Sequence, residues 1–285
     1  MLVQLDSDPQ PSVFDSVVAV DSGAEQLFRH GGVTDAQVRD LVYGAMFTRG
    51  PDELHRTAVF VGGSNVLAAE HLFAKVRECF FGPMRVSVML DPNGANTTAA
   101  AAVLAAARHV PLAGATALIL AGTGPVGQRV ARLLARQGAA VRIGSRARDR
   151  ASEACGEIHS YFPEAKLQPH ETVTSAGRQA ALDGAEIVIA AGAPGVELLA
   201  ASEREASSTL RVAIDLSAVP PAGLEGVDMH DKAQQRGNAL CYGALGVGGA
   251  KMKIHKSALA QLFTRNDLAL DAEEIYAIGA ALESA

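Results

Sequence analysis

The residues with the most recognisable chemistry are Gly122-Thr-Gly-Pro-Val-Gly127, a Gly-x-Gly-x-x-Gly spacing. An apolar run, Ala117 to Ala121, precedes it, and Val126, Val130, Leu133 and Leu134 follow on one side of a helical pattern. Strand, tight turn and helix in that order form the setting in which this spacing holds a dinucleotide pyrophosphate. Gly122 permits the turn, Gly124 lets the backbone approach the phosphates, and Gly127 lets the helix lie close to the strand. Thr123, Pro125 and Val126 complete the loop. Pro125 suits the opening helical turn, where its missing N–H costs nothing. The free amides of the helix start then face the phosphate charge.

The next apolar run, Ala140-Val-Arg-Ile-Gly144, ends at Ser145-Arg146-Ala-Arg148-Asp-Arg150. Sites for NAD usually carry an acid there, about 20 residues beyond the fingerprint, to hold the ribose 2′-hydroxyl. No acid stands at this tip. The hydroxyl of Ser145 and the guanidinium groups of Arg146 and Arg150 suit a 2′-phosphate instead, so the cofactor reading is NADP. Arg148 and Arg150 also fit as the solvated first turn of the following helix. Ala191-Gly192-Ala193, closing the run Ala185 to Ala190, puts small residues where the backbone must pass a flat ligand.

The chemistry is narrowed by what is missing. The chain has no Gly-x-Ser-x-Gly, no Walker lysine, no Cys-x-x-Cys and no zincin helix. It has no Tyr-x-x-x-Lys either. Oxidising a carbinol normally needs a general base for the hydroxyl proton. A site without one suits a substrate that loses hydride and leaves as a stabilised cation, as a methylene bridge between two nitrogens does.

The elements that must hold these residues follow from the hydrophobic pattern. Leu2 to Leu5 reads as a short strand, and Ser12 to Val20 as a short helix or turn with Phe14 and Val17 inward. Thr34 caps a helix carrying Val38, Leu41, Val42 and Met46. Thr57 to Val61 is a buried-type strand, followed by a helix with Val66, Ala69, Leu72, Phe73 and Val76 in register. Arg85 to Leu90 repeats the pattern and breaks at Asp91-Pro-Asn-Gly-Ala-Asn-Thr-Thr98 before an Ala-rich helix. Strands alternating with helices imply α/β architecture with parallel sheets covered on both faces. Two domains are expected. The first is 1–112, joined by helices from about 250–285. The second is a Rossmann-type doubly wound sheet over 113–249, entered at Pro111 and Gly114. The stretch Tyr242 to Gly249 reads as a glycine-rich turn before a helix from Ala250 to Phe263, on which Met252, Leu259, Leu262 and Phe263 make the buried stripe. On that helix Lys251 and His255 stand four apart and share a face.

Composition excludes other classes. Hydrophobic residues at 48% and charged residues at 20% describe a globular chain with a substantial core. No run is long enough to span a bilayer, and Met1 to Asp8 lacks the basic and apolar regions of a signal peptide. A formal net charge of −6, with no basic stripe interleaved with aromatics, argues against nucleic acid as a partner. The three cysteines, Cys79, Cys155 and Cys241, lie far apart with no metal-spaced histidines, so no zinc site, no disulfide framework and a reducing cytoplasm are expected.

Segments in both halves resemble one family. They are Pro11-Ser-Val-Phe-Asp15, Asp21-Ser-Gly23, Phe47-Thr-Arg-Gly50, Phe60-Val-Gly-Gly63, Phe81-Gly-Pro83, Asn93-Gly-Ala-Asn-Thr-Thr98, Ala121 to Gly127, Pro220-Pro221 and Gly243 to Gly249. Together, from about Leu5 to Tyr276, they resemble the NADP-dependent methylene-tetrahydromethanopterin dehydrogenases of methylotrophic bacteria. The resemblance implies oxidation of a methylene to a methenyl pterin, coupled to NADP+ reduction, in one-carbon metabolism, by a homo-oligomer (a trimer in the family). Some members of that family also accept methylene-tetrahydrofolate. The rival readings are a tetrahydrofolate enzyme and an NADP-sensing regulator without turnover. Under the resemblance Phe14 offers a face to the pterin or aryl ring, or else anchors the core. Asp15 and Asp21 bond the pterin's guanidine-like edge, or cap the short helix and its successor. Asn93, Asn96, Thr97 and Thr98 present amides and hydroxyls to a cleft, or serve as loop and N-cap. Lys251 and His255 neutralise or orient the substrate, or His255 is a satisfied interior histidine. No residue is expected to act as an obligatory base.

Overall fold

Apolar runs of four to six residues recur between helical stretches, and each becomes a strand of a parallel sheet. The computed structural model describes residues 1–284. In chain order the first elements are β1 (Leu2–Asp6), α1 (Val13–Asp21), β2 (Leu27–His30), α2 (Asp35–Met46), β3 (Ala58–Gly62), α3 (Val66–Glu78), β4 (Ser87–Leu90) and α4 (Ala95–Ala107). Then come β5 (Thr116–Leu120), α5 (Pro125–Arg136), β6 (Ala140–Ser145), α6 (Arg148–Tyr161), β7 (Lys166–Glu171) and α7 (Ser175–Leu182). The chain continues through β8 (Ile187–Ala190), α8 (Ala201–Ala206), β9 (Val212–Asp215), β10 (Lys232–Arg236) and β11 (Ala239–Tyr242). It ends with α9 (Ala244–Gln261), β12 (Ala269–Leu270) and α10 (Ala272–Ser284).

Two compact units result. Residues 1–97 with the tail from Met252 form one, and Thr98–Lys251 form the other. The division falls inside the continuous helices α4 and α9, not at the Pro111–Gly114 turn that follows α4.

The first unit is a five-stranded sheet in the order β12-β4-β3-β1-β2, parallel throughout. The tail returns to it, because Ala269 and Leu270 pair with Val88 and Met89. Val3, Leu5, Val59, Val61, Val88 and Leu90 meet Val42, Met46, Ala69, Leu72 and Val76 in the core on one side of the sheet. Each large aliphatic side chain so buried contributes about 1.5–3 kcal/mol. On α3 the buried residues are Val66, Ala69, Leu72, Phe73 and Val76, the stripe read from the sequence.

Helix α1 departs from the reading. Phe14 and Val17 face outward, 53% and 55% exposed, and the inward residues are Asp15, Ser16, Val18 and Ala19. The cause lies on β1, where Gln4 is buried and needs polar partners. Ser16 Oγ donates to Gln4 Oε1 at 2.9 Å, and Gln4 Nε2 donates to the Ser12 carbonyl. A helix apolar on most sides is rotated by the polar pair it must satisfy.

The second unit is a seven-stranded sheet, β10-β11-β9-β8-β5-β6-β7, in which only β10 runs antiparallel. Its six parallel strands follow the doubly wound order, with the reversal of direction between β5 and β8. Leu118, Leu120, Val188, Ala190, Leu210, Ala213 and Cys241 form a core on one face. Helix α9 starts at Ala244, so most of the glycine-rich stretch expected as a turn is its first turns. A Cβ on Gly246 would lie 1.8 Å from the Asp231 carbonyl, and only glycine lets the helix start pack on that backbone. The buried stripe is correspondingly Ile254, His255, Ala258, Leu259 and Leu262, with Met252 and Phe263 only partly covered.

Candidate functional site

In the second unit, β5 leads into Ala121 with φ +53°, and Gly124 stands as the residue before α5, with Pro125 in its first turn. The Gly122 amide donates to the Gly144 carbonyl at 2.9 Å, tying the turn to β6. The three glycines answer to different constraints. A Cβ on Gly127 would sit 2.7 Å from Gly122 Cα, and one on Gly122 would sit 2.9 Å from the Ile119 carbonyl. Gly127 is demanded by the close approach of α5 to the turn, and Gly122 by the turn's own packing against β5 and β6. A Cβ on Gly124 would meet nothing nearer than the Ala121 and Ala191 carbonyls, at 3.7 and 3.8 Å. Its φ of −79° and ψ of 168° suit any residue. The protein's own packing therefore leaves room at Gly124, beside the free amides of a helix start, and the room fits a pyrophosphate. Ala191 N donates to the Leu120 carbonyl, which brings the Ala191-Gly192-Ala193 turn beside it at the point where strand order reverses.

At the tip of β6 the serine is drawn inward. Ser145 is 5% exposed, and its Oγ accepts the Ala147 amide at 3.4 Å, while its carbonyl accepts from Thr172 N and Oγ1. The hydroxyl oxygen serves the turn, and the side chain is buried. Arg146, Arg148 and Arg150 are exposed, the last two in the first turn of α6.

At the end of β9, Asp215 is buried and accepts the amides of Ser217 and Leu224, both at 2.9 Å. Burial pushes its carboxyl above the usual range, against the pull of those hydrogen bonds.

In the first unit, strands β1, β3 and β4 end side by side at Asp6, Gly62 and Leu90. Asp6 accepts the amides of Asp8 and Ser12, and its burial also raises its pKa. Asp15 sits in the first turn of α1, with Oδ2 3.8 Å from where a Cβ on Gly62 would be. Asp21 does not join it. It lies six residues along the helix, about 9 Å at the standard rise, and pairs with Lys256 at 2.9 Å.

The segment after β4 is likewise sorted by burial. Asp91 has no exposed surface and accepts Asn96 N, Thr97 N and Thr97 Oγ1 at 2.9, 3.1 and 2.7 Å. Asn96 Nδ2 donates to the Leu90 carbonyl and to Asp271 Oδ1. Asn96 and Thr97, expected to face a cleft, thus spend these groups on the framework. Asn93, with φ +51°, is exposed, and Thr98 is partly so. On α9, Lys251 is partly exposed, whereas His255 is wholly buried.

Sequence reading missed Asp6, Asp91 and Asp215, yet a signal exists. Each is an acid at the carboxyl end of an apolar strand, and each binds the amides of the loop that follows. Among the described residues there is no cluster of metal-ligating side chains, and no helix is long and apolar enough to cross a membrane.

Residues 13–93 match the family model "Methylene-tetrahydromethanopterin dehydrogenase, N-terminal", and 116–219 match "NADP oxidoreductase coenzyme F420-dependent". The chain is 43% identical over 278 residues to the "Bifunctional protein MdtA" of Methylorubrum extorquens, covering 97% of this chain and 96% of that protein. It is 31% identical to the "NAD(P)-dependent methylenetetrahydromethanopterin dehydrogenase" of the same organism, covering 93% and 92%. Among solved structures, quinate dehydrogenase from Corynebacterium glutamicum in complex with NAD aligns with TM-score 0.52 at 13% identity, covering 99% of each chain. Shikimate 5-dehydrogenase from Listeria monocytogenes aligns with the same TM-score at 14% identity, covering 97% and 95%. These two likenesses concern the fold alone.

Proposed function

Because the chain belongs to the methylenetetrahydromethanopterin dehydrogenase family, we propose that it oxidises methylene-tetrahydromethanopterin to the methenyl form with NADP+ as acceptor. Kinship at 31% identity over 93% of the chain to a protein that bears this activity in its name, together with the match of residues 13–93 to the family's N-terminal model, carries this reading. Gly122 to Gly127 would hold the pyrophosphate, with Ala191, Gly192 and Ala193 alongside, and Arg146 and Arg150 the 2′-phosphate. The room at Gly124 supports that assignment. Bound there, NADP+ supplies the hydride acceptor.

The chain's own contribution is orientation. A methylene carbon between two nitrogens that gives up hydride leaves as an amidinium-like cation, its charge spread over both nitrogens. No hydroxyl proton has to be removed, so no residue serves as an obligatory base. Phe14 offers its exposed face to the flat pterin. Asp15 accepts N–H groups from the ring's edge. Asn93 and Thr98 supply amide and hydroxyl groups, and Lys251 acts through its charge. Holding the donor carbon in a productive pose is worth several kcal/mol, up to about 7–11 kcal/mol in well-oriented cases. The family resemblance supports a cytoplasmic homo-oligomer, a trimer, working in one-carbon metabolism, and light scattering on the purified protein checks its size.

The deciding assay measures reduction of NADP+ and of NAD+ with methylene-tetrahydromethanopterin and with methylene-tetrahydrofolate. Faster NADP+ reduction with the methanopterin is expected. Faster turnover of the folate makes tetrahydrofolate the carrier. No reduction with either pterin, despite tight NADP binding, refutes the proposal and favours a sensor of NADP.

A further inference from the structure

His255 is a fully buried titratable side chain to which the hydride step gives no task. Its imidazole stacks on Phe60, centroids 6.0 Å apart and planes at 22°, and lies 6.4 Å from Phe14 at 38°. Both separations are within the range of favourable aromatic pairing. The Nδ1 atom lies 4.0 Å from Asp91 Oδ2. Asp91 is itself pinned by the amides of Asn96 and Thr97 and by the Thr97 hydroxyl. Phe60 belongs to β3 and is buried, so its ring is fixed by the sheet. Of the three rings, Phe14 alone keeps about half its surface exposed.

The arrangement is a graded stack: a ring fixed in the sheet, a buried imidazole beside a pinned carboxylate, and a ring open to solvent. An exposed phenyl on the first turn of a helix otherwise has two free torsions. A rigid neighbour on its inner side removes much of that freedom before any ligand arrives, which lowers the cost of binding. We propose that His255 is a positioning residue, stacked on Phe60 beside Asp91, that holds Phe14 so that its outer face receives the flat ring of the substrate. The proposal rests on the pterin reading above and gives His255 a role without proton transfer.

The test is a double-mutant cycle on the full-length protein, with pterin KM, kcat, NADP Kd and equilibrium pterin binding measured for each variant. His255→Ala should raise the pterin KM about three- to tenfold, the range for losing one aromatic pair, and leave NADP Kd unchanged. Phe14→Leu should raise it at least as much. The double variant should be no worse than Phe14→Leu alone, because His255 acts through Phe14. His255→Phe keeps a ring in the stack and should restore most of the affinity; thermal melts establish that each variant is folded. Additive losses in the folded double variant overturn the proposal. So does a His255→Phe protein as defective as His255→Ala, or one that has lost a limb of the pH–rate profile. A wild-type protein that neither binds nor turns over pterin sinks the functional reading and this inference together. An active wild type with additive losses sinks the inference alone.

Discussion

Replacing Gly124 with Ala separates what the protein needs at its nucleotide turn from what a ligand needs. The added Cβ would lie 3.7 and 3.8 Å from the nearest protein atoms, ordinary van der Waals contact, on a backbone that Ala adopts without strain. The unfolded chain loses freedom, so the ligand-free protein should gain about 0.4–1 kcal/mol. The same methyl occupies the space through which the backbone would approach the phosphates. Losing one charge-assisted bond there costs about 1.5–3 kcal/mol, a rise in NADP Kd of roughly ten- to a hundredfold. Gly127→Ala is the counterpart. Its Cβ would stand 2.7 Å from Gly122 Cα, so α5 must move away from β5, at a cost of about 1–3 kcal/mol. Denaturant titration of both ligand-free variants, with calorimetric titration of NADP, gives the two quantities. Opposite shifts in stability, with weakened NADP binding in Gly124→Ala, are expected. A stabilised Gly124→Ala protein that still binds NADP at wild-type affinity refutes the assignment of that space to the pyrophosphate.

Three further outcomes follow from the same geometry. Arg146→Ala should raise the NADP KM roughly ten- to a hundredfold and leave the NAD KM nearly unchanged; equal effects on both cofactors would remove Arg146 from the 2′-phosphate. Single-turnover NADPH formation should be flat across pH wherever the pterin does not titrate, in wild type and in Lys251→Ala, which lowers the rate through orientation and charge; an ionisation that the substitution deletes would make Lys251 a general acid or base. His109, whose Nε2 lies 2.7 Å from Tyr242 Oη, is held below the usual imidazole pKa by burial and then by Arg108 and Arg211. Between that depressed value and about 6.5 the folded state binds fewer protons than the unfolded one, so this group makes stability rise with pH there. His109→Gln should flatten the slope of urea midpoints just below about pH 6.5, and an unchanged slope would assign it elsewhere.

The parts of the fold legible in the sequence are those that depend on neighbours along the chain. The turn at Gly122 to Gly127 is one, because the strand before it and the helix after it are local patterns. Helix α3 is another, since Val66, Ala69, Leu72, Phe73 and Val76 fall on one buried stripe at helical spacing. Among the strands that the pattern along the chain does not mark are β2, β10 and β12 at sheet edges, and β11 beside one of them. Lys232-Ala-Gln-Gln-Arg236 is mostly polar because an edge strand is half solvated. It becomes a strand through its partner and not through its own periodicity.

The residue types, their spacing and the local elements are properties of the chain: an apolar run, three glycines, a basic tip and an acid closing a strand. Which polar groups remain available is not, because burial is decided by what folds over them. Asn96 and Thr97 look like ligands until Asp91, Leu90 and Asp271 take their hydrogen bonds. Asp15 and Asp21 look alike until α1 separates them, and Ser145 looks exposed at a strand tip until the turn to Ala147 buries it. Phe14 faces outward because Gln4, on a strand eight or more residues away, had to be paired with Ser12 and Ser16. A buried polar group must be satisfied at a cost of about 1–3 kcal/mol if it is not, and only the assembled sheet and helices determine which groups those are.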